Sequence, residues 1–360
     1  MSILTPSFWN EKKVFVTGHT GFKGAWLSLW LNSMGAEVHG YALTPPTTPN
    51  LFDVAGIAKL ITSNIIADIR DYDSLRATLK ITRPEIIFHL AAQPLVRESY
   101  KLPVETYAVN VMGVVHLLEA VRHTDSVKAV VNITSDKCYE NKEWHRPYRE
   151  NDPMGGHDPY SSSKGCVELV SAAYKRSFLE PQGVHVATAR AGNVIGGGDF
   201  SKDRLLPDIL RSMDSGEILK IRYPSAIRPW QHVLEPLSGY LMLAELLYTE
   251  GEAFAEPWNF GPLDGDARSV GWILEYIASK AKGFKWQCEE QPQPHEATLL
   301  KLDSSKARER LGWRPCWNIE QALDHTMAWH EAWRGAQNIR DLMAGQISQH
   351  VHVMTTENNT

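Results

Sequence analysis

Tyr160 and Lys164 are separated by three serines, which places a phenol and an amine four residues apart. On a helix these two side chains lie on one face, one turn apart. Positive charge beside a phenol favours its ionised form and lowers its pKa, and a phenol with a pKa near neutral can remove a proton from a hydroxyl group. The pair is a candidate for acid–base chemistry, but so short a string also arises by chance, and its weight depends on the elements around it.

A second group of residues, 18–24, has the sequence Gly-His-Thr-Gly-Phe-Lys-Gly. It follows a β-branched run directly and opens a segment with helical periodicity, which is the context of a dinucleotide-binding loop. Glycines let a pyrophosphate approach the backbone, and the N–H groups of a helix N-terminus bind the anion. A glycine-rich turn without a ligand is the alternative. The residues expected to contact the dinucleotide are Gly18, His19, Thr20, Gly21, Phe22, Lys23 and Gly24.

The elements that must position these groups alternate along the first half of the chain. Segments with helical periodicity, such as 24–33 and 110–121, separate short runs typical of buried strands. The predicted strands are 14–18, 38–43, 61–68, 86–90, 127–135 and 184–190. This order predicts an α/β fold with a doubly wound, parallel, Rossmann-type sheet. Ligands of such sheets bind beyond the carboxyl ends of the strands.

The composition excludes several classes of protein. Lys and Arg number 37 and Asp and Glu 42, for a net charge of -5, so a generic nucleic-acid binder is not expected. The four cysteines form no C-x-x-C pair, which argues against a disulfide framework and favours a reduced, cytoplasmic setting. The start of the chain lacks a signal pattern, and no run of about 18 apolar residues occurs, so we expect no membrane span.

After about Gly196 the sequence changes to glycine- and proline-rich loops with mixed helices. We expect a Rossmann domain at 1–196 that also receives some later segments, a smaller loop-rich substrate lobe at 197–335, and a frayed tail at 336–360. His350 and His352 lie in that tail without an acidic or cysteine neighbour in the sequence. We therefore expect no metal site.

The G-x-x-G-x-x-G spacing resembles the short-chain dehydrogenase/reductase superfamily, specifically its extended branch, which acts on nucleotide sugars. The resemblance covers residues 14–333 and implies NAD as the cofactor. It places Asp68 and Ile69 at the adenine, although a cap for a helix beginning near residue 70 is the alternative for the aspartate. It also places residues of the H-x-A-A segment beside the nicotinamide, namely Leu90, Ala91 and Ala92.

One feature of the superfamily is missing. An acid should stand at the end of the second strand to bind the ribose, but the sequence at 41–44 is Tyr-Ala-Leu-Thr. The ribose must be held differently, and weaker retention of the cofactor is expected. His19 and Lys23 are candidates for contacts with phosphate or ribose, while a solvated Lys23 on the first helical turn is the alternative.

The same resemblance completes the catalytic group. Ser135 corresponds to the Ser or Thr of the superfamily triad, and a nicotinamide charge beside Lys164 would lower the pKa of Tyr160. Nucleotide-sugar 4,6-dehydratases carry Asp-Glu after that position, whereas this chain has Asp136 and Lys137, which resembles the members that act on CDP-glucose. A surface ion pair is the alternative for these two residues.

The implied reaction is an internal oxidation and reduction. Tyr160 takes the C4 hydroxyl proton of a nucleotide-diphosphate-glucose while NAD takes the hydride. Lys137 then removes the C5 proton, the C6 hydroxyl leaves with Asp136 as general acid, and the hydride returns to C6. A 4-epimerase with the same cofactor and tyrosine is one alternative, and a dinucleotide-binding regulator without turnover is another.

The resemblance also implies substrate and subunit contacts in the rest of the chain. Guanidinium groups match phosphate oxygens, although each arginine taken alone could be a surface residue. The helices after residue 110 and from residue 160 are those by which relatives form a homodimer or larger oligomer, and an apolar stripe at 114–121 permits this, while core packing explains it equally well. The implied substrate-binding residues are Asn193, Arg204, Arg228, Trp230, Arg268 and Glu296.

Overall fold

The computed structural model describes residues 4–281, 283–289 and 299–357. Its strands are β1 (Lys13–Thr17), β2 (Glu37–Ala42), β3 (Ser63–Ile66), β4 (Ile86–His89), β5 (Ala129–Ile133), β6 (His185–Ala191), β7 (Asn193–Ile195), β8 (Leu219–Ile221), β9 (Ile227–His232), β10 (Pro257–Phe260), β11 (Ala267–Ser269) and β12 (Trp286–Cys288). Seven of them form one parallel sheet in the order β3-β2-β1-β4-β5-β6-β10. The predicted doubly wound sheet is confirmed.

All six predicted strands are present, with bounds that differ by a few residues. Every residue of β4 and β5 is buried, because strands in the middle of a parallel sheet are covered by helices on both faces. The third strand is shorter than the predicted 61–68. It lies at the edge of the sheet, and its residues are alternately half-buried and exposed.

Helices cover both faces of the sheet. The helices of the described residues, including those of a smaller lobe, are α1 (Pro6–Trp9), α2 (Phe22–Ser33), α3 (Leu51–Val54), α4 (Tyr72–Thr82), α5 (Val96–Lys101), α6 (Pro103–Tyr107), α7 (Gly113–Arg122), α8 (Pro159–Tyr174), α9 (Leu205–Ser215), α10 (Leu234–Thr249), α11 (Val270–Lys280), α12 (Ile319–Arg334) and α13 (Ile339–Glu357). One apolar cluster joins α2, α10 and α13 to one face of the sheet, and a second joins α4, α7 and α8 to the other. The site lies where these helices begin.

A smaller lobe stands beyond the carboxyl ends of the strands. It contains the three-stranded sheet β11-β9-β7 and the pair β12-β8, and its core joins α9, α11 and α12 to β9. Some elements within 197–335 belong to the large domain instead, among them α10, which packs on β5 and β6, and β10, which extends the main sheet. The chain thus returns to the large domain after entering the smaller lobe.

The expectation of a frayed tail at 336–360 is wrong for the described part of that range. The helix α13 is 19 residues long and packs against α2 and α12. Its buried side chains include Ile339, Met343, Ile347, His350 and Met354. The spacing of these residues is helical, but a histidine interrupts an already sparse apolar stripe, so the pattern was not recognised in the sequence.

One helical stretch of the described residues, Pro103–Arg122, is long and apolar enough to cross a membrane by length and composition. It comprises α6, a π-helical turn (Ala108–Met112) and α7. It packs against α4 and α8 in the second apolar cluster, which is the setting of a core helix in a globular protein. The length and composition of this stretch therefore give only weak support for a membrane span.

Candidate active site

A cavity of about 1000 Å³ lies between the carboxyl ends of the strands and the smaller lobe. Its walls include the glycine-rich loop, the ends of β2 to β6, the start of α8 and residues of β7 to β9. The topology explains this convergence, because parallel strands bring all of their carboxyl ends to the same edge of the sheet. Most of the predicted functional residues meet there.

The glycine-rich loop is built for close approach of a ligand to the backbone. Gly18 has φ of 74°, and a Cβ on it would lie 2.7 Å from the amide nitrogen of Ala91. A Cβ on Gly24 would lie 2.1 Å from the carbonyl oxygen of Gly18. The helix α2 begins directly after Gly21 without a side-chain cap, so its first N–H groups remain available to an anion. The loop fits the pyrophosphate of a dinucleotide.

Asp68 lines the cavity but does not cap a helix. The cap of α4 is Asp71, which accepts from the Ser74 N–H, so the helix-cap interpretation of Asp68 is wrong. Arg70 donates to the Asp68 carboxylate from Nε at 3.0 Å and lowers the pKa of that carboxyl. The superfamily's ribose-binding acid was expected near Tyr41. Tyr41 is buried, and its hydroxyl donates to the Asp68 carbonyl at 3.1 Å.

His19 and Lys23 differ from their predicted role. The His19 ring is fully buried, donates from Nε2 to Asn64 Oδ1 over 2.7 Å, and is absent from the described lining of the cavity. The prediction that its side chain contacts phosphate or ribose is wrong, because the loop directs the ring against β2, where a Cβ on Gly40 would lie 2.4 Å from it.

Lys23 does line the cavity, near Arg204, Lys164 and Asp136. Its Nζ lies 5.9 Å from the centre of the Tyr240 ring. Burial, followed by the charges of Arg204 and Lys164, lowers the pKa of Lys23 to about 7, and Asp136 opposes this effect. The interpretation of Lys23 as a solvated surface lysine is therefore wrong.

Tyr160 and Lys164 stand on the first turns of α8, whose cap Asp158 accepts from the Ser161 N–H. Both side chains are buried, and Lys164 Nζ lies 3.5 Å from the Ile133 carbonyl oxygen. Burial raises the pKa of Tyr160 to about 12, although a hydrogen bond with the Ser135 side chain lowers it. Burial also lowers the pKa of Lys164 to about 8.

The lowering predicted from the sequence depends on the charge of a bound nicotinamide, whereas the protein's own groups shift the pKa of Tyr160 upward. Desolvation disfavours a phenolate more than the cations within the protein favour it. The protein's own groups therefore favour the neutral phenol, and a further positive charge beside the phenol would lower its pKa.

Ser135, Asp136 and Lys137 follow β5 in a 3-10 turn and line the same cavity as Tyr160. The Ser135 hydroxyl donates to Asp136 Oδ1 at 3.0 Å and accepts from the Lys137 N–H at 3.2 Å. Asp136 is 3% exposed, and among the described residues its Oδ2 has no hydrogen-bond partner. Asp136 is thus buried and hydrogen-bonded to Ser135, so the surface ion-pair interpretation is wrong.

A buried network behind these residues was missed in the sequence. The Glu168 carboxylate accepts from Thr134 Oγ1 at 2.5 Å, Thr188 Oγ1 at 2.6 Å, and Arg190 Nε and Nη2 at 2.9 and 2.8 Å. Glu168 lies one turn after Lys164 on α8. The four-residue spacing of Tyr160, Lys164 and Glu168 could have revealed it.

The smaller lobe supplies cations to the cavity. Asn193, Arg204, Arg228 and Trp230 line it as predicted, and Arg204 pairs with Asp199 at 2.9 Å. Cavity-lining residues of the same lobe that were not predicted include Lys220, Arg222 and Tyr223.

Two predicted substrate residues are not found in this cavity. The exposed Arg268 side chain lies on the Trp272 ring, 5.1 Å from its centre, and is absent from the described lining. Its backbone carbonyl instead accepts from the Trp230 indole N–H at 3.0 Å, so the predicted side-chain contact is wrong. Glu296 lies outside the described residues.

Comparisons with known proteins decide the family. The family model described as GDP-mannose 4,6 dehydratase matches residues 15–326. The chain belongs to this family. It is 53% identical to the CDP-glucose 4,6-dehydratase of Salmonella typhimurium, with 98% of this chain and 100% of that protein covered. It is 26% identical to the UDP-glucose 4-epimerase of Halalkalibacterium halodurans, with 88% of this chain and 95% of that protein covered.

Solved structures agree with the fold. The dTDP-glucose 4,6-dehydratase of Bacillus anthracis in complex with NAD gives a TM-score of 0.74 at 21% identity, with 90% of this chain and 98% of that chain covered. DesIV, the dTDP-glucose 4,6-dehydratase of Streptomyces venezuelae with NAD and TYD bound, gives 0.74 at 22%, with the same coverage. The resemblance drawn from the sequence motifs is confirmed.

Proposed function

We propose that this chain is an NAD-dependent lyase that converts CDP-glucose into CDP-4-keto-6-deoxyglucose and water, a step of deoxysugar biosynthesis. The observation that carries the proposal is that the Tyr160 phenol and the Asp136 carboxyl line one cavity, with Lys137 next to them. The similarity to a relative named CDP-glucose 4,6-dehydratase supports the choice of nucleotide. NAD-bound relatives of the same fold support the cofactor.

The chain offers a surface that suits NAD along the large domain. The loop at 18–24 receives the pyrophosphate, Asp68 and Ile69 stand where the adenine would lie, and the small residues Ala91 and Ala92 with Leu90 leave room for the nicotinamide half. These residues would hold NAD, which would supply the redox chemistry, namely the acceptance of a hydride from C4 of the glucose unit and its return to C6.

The side chains handle the protons of the reaction. Tyr160, with Ser135 as its hydrogen-bond partner, takes the C4 hydroxyl proton as the C4 carbonyl forms. The carbonyl acidifies C5, and Lys137 accepts the C5 proton. Asp136, in its protonated form, donates to the C6 hydroxyl, which leaves as water. A proton then returns to C5 as C6 is reduced, so the overall change is loss of one water.

Cations of the smaller lobe form part of the wall of the same cavity and suit the diphosphate of the substrate. Arg204 and Arg228 line that wall together with Arg222, and exposed Lys220 stands at its edge. Guanidinium groups bind phosphate oxygens in a two-pronged geometry. Trp230 lies in the same wall, where its indole N–H donates a hydrogen bond to the Arg268 carbonyl.

Transfer of a label within the substrate tests the reaction. With CDP-glucose deuterated at C4, the proposed reaction moves the deuterium to C6 of a 4-keto product and introduces a solvent proton at C5. Parallel turnover of CDP-, dTDP- and GDP-glucose tests the nucleotide. A 4-epimer that keeps the label at C4 would show the epimerase alternative instead, and binding without turnover would show the regulator.

Two variants separate the proton steps. We expect Asp136→Asn to lower the rate of water loss by about 10² to 10⁴, the usual contribution of a general acid, while exchange of the C4 hydride persists. Tyr160→Phe should stop both. For Lys137, we expect Lys137→Ala to stop exchange of the C5 proton and Lys137→Glu to keep part of the activity; persistent exchange in Lys137→Ala would remove this residue from the role.

We also propose a homodimer, formed through α6, α7 and α8, in the cytoplasm. The stripe at 114–121 is buried within one chain and is not available to a partner. Large apolar side chains on the same helices are exposed instead, with Val104 at 82% and Leu169 at 63%. Such patches mark interaction surfaces.

The oligomer is tested by sedimentation at several concentrations. We expect Val104→Glu with Leu169→Glu to yield monomers, whereas Ile81→Glu, at an equally exposed position on α4, should leave the dimer intact. Monomeric wild-type protein would refute the interface.

A further inference from the structure

A cluster of three side chains outside the active site brings together a carboxylate, a thiol and an imidazole. Glu235 lies on the first turn of α10, Cys316 lies in the segment before α12, and His350 lies on α13. Their possible ligand atoms are all within 4.8 Å of one another. The sequence separates them by more than thirty residues in each case, which is why His350 was taken to have no companion.

His350 is the side chain that needs explaining. It is 0% exposed, and among the described residues neither of its ring nitrogens makes a hydrogen bond. Its Nε2 nevertheless lies 3.1 Å from Glu235 Oε1. Trp30 and Trp317 pack edge-on against the ring, with centroids 5.8 and 5.1 Å away. A buried histidine without hydrogen-bond partners is uncommon, and an ion is one of the few ways to satisfy it.

The carboxylate is held in place for such a role. Glu235 is 0% exposed, and its two oxygens accept from the backbone N–H groups of Cys316 at 2.9 Å and Trp317 at 3.0 Å. These bonds orient the carboxylate and leave lone pairs on both oxygens. The first of them also holds the backbone of Cys316 beside the carboxylate, so the thiol and the carboxylate are positioned together.

We propose that Glu235, Cys316 and His350 bind a zinc ion that fastens the C-terminal helix α13 to the body of the enzyme. Zinc takes this mixture of oxygen, sulfur and nitrogen ligands in tetrahedral sites. Ligand atoms around tetrahedral zinc are ~3.3–3.8 Å apart, so atoms that lie within 4.8 Å of one another need to approach by about 1.5 Å at most. Water completes the fourth position from the side of the partly exposed Cys316.

Charge balance supports the same ion. Binding of Zn²⁺ releases the Cys316 thiol proton, and the resulting thiolate together with the Glu235 carboxylate neutralises the two positive charges, while His350 binds as the neutral imidazole. The assembled site is uncharged, which suits its burial among tryptophan rings. Because the three ligands come from distant segments, the metal stabilises the folded chain.

Zinc binding by the full-length protein tests the proposal. The protein is treated with a chelator, titrated with Zn²⁺ against a chromophoric competitor, and assayed for bound zinc per chain. We expect one zinc per chain and a higher Tm with zinc. Cys316→Ser and His350→Gln should each weaken binding by more than about 100-fold, the upper end of the loss for a supporting residue. Replacing zinc by Co²⁺ should give a thiolate charge-transfer band that Cys316→Ser abolishes.

Matched controls use the same residue types elsewhere in the chain. Cys288→Ser changes an exposed cysteine of β12, and His352→Gln changes an exposed histidine of α13. Both should bind zinc like the wild type. The proposal is overturned if the wild type binds no zinc, or if Cys316→Ser binds it as tightly as Cys288→Ser. If His350→Gln fails to fold, Cys316→Ser still decides the test. The Cys316 side chain is only partly buried, so we expect its replacement by serine to leave the protein folded.

Discussion

The substitution Glu168→Gln tests how the protein keeps Lys164 charged inside the active site. Tyr160, Lys164 and Glu168 recur every four residues on α8 and share one face of it. Burial lowers the pKa of Lys164 to about 8, and the Glu168 charge is the largest effect that opposes this. Without that charge the pKa of Lys164 falls further. The ammonium is then lost at a lower pH, and with it the positive charge beside the phenol.

The size of the effect follows from the geometry. Side chains one helical turn apart are separated by about 6 Å, and two charges at that distance interact by ~2.8 kcal/mol at an effective dielectric constant of about 20, or ~2 pKa units. Arg190, 2.8 Å from the same carboxylate, offsets part of this. We therefore expect the alkaline limb of the pH profile of kcat/KM to move to lower pH by about one unit.

The assay compares that limb between variants that remain folded. Thr188→Val is the control, since it removes one hydrogen bond of 2.6 Å to Glu168 but keeps the charge; it should cost about 1 kcal/mol of stability and leave the limb in place. Breaking a buried ion pair costs about 3–5 kcal/mol, so the double variant Glu168→Gln with Arg190→Met provides a second route without an unpaired arginine. An unmoved alkaline limb in folded Glu168→Gln would refute the reasoning.

Three further substitutions have expected outcomes set by local structure. Lys23→Met should raise the Tm more at about pH 6 than at about pH 10. Folding lowers the pKa of Lys23 to about 7, so the charged lysine destabilises the folded protein at every pH below the pKa that this lysine has in the unfolded chain. Equal gains in Tm at both pH values would contradict this. Gly24→Ala should abolish NAD binding measured by calorimetry, since its Cβ would lie 2.1 Å from a backbone oxygen, while Gly265→Ala, with nothing within 4 Å, should not. Gly345→Ala lies within α13 with open space around it and should raise the free energy of unfolding by about 1 kcal/mol; no change would indicate a frayed segment.

The convergence of the proposed catalytic residues could be predicted because it depends on topology. Ser135 and Asp136 follow β5, and Tyr160 begins the helix that leads into β6. Once the alternating pattern predicts a parallel sheet, the ends of neighbouring strands must meet at one edge. This prediction needs no side-chain distances or hydrogen-bond partners. The strand and helix patterns and the order of these elements along the chain are enough to predict the shared cavity.

Side-chain directions within one loop could not be predicted in the same way. His19 and Lys23 are four residues apart in the same turn, yet one ring is buried against Asn64 and the other side chain enters the cavity toward Tyr240. The deciding contacts come from β3 and α10, which are distant in sequence. Arg268 is a similar case, because its neighbour Trp272 draws the guanidinium away from the substrate wall.

The sign of the charge in the cavity was equally hidden from the sequence. A net charge of -5 describes the whole chain, but folding brings Arg204 and Lys164 close enough to Lys23 to lower its pKa, and the nearby Asp136 opposes this effect. Such mutual repulsion is a cost to the folded protein alone, and it is relieved when an anionic ligand enters. A diphosphate substrate and a dinucleotide both bring negative charge to this cavity. The same cations that destabilise the free protein therefore contribute to binding, and the two effects share one cause.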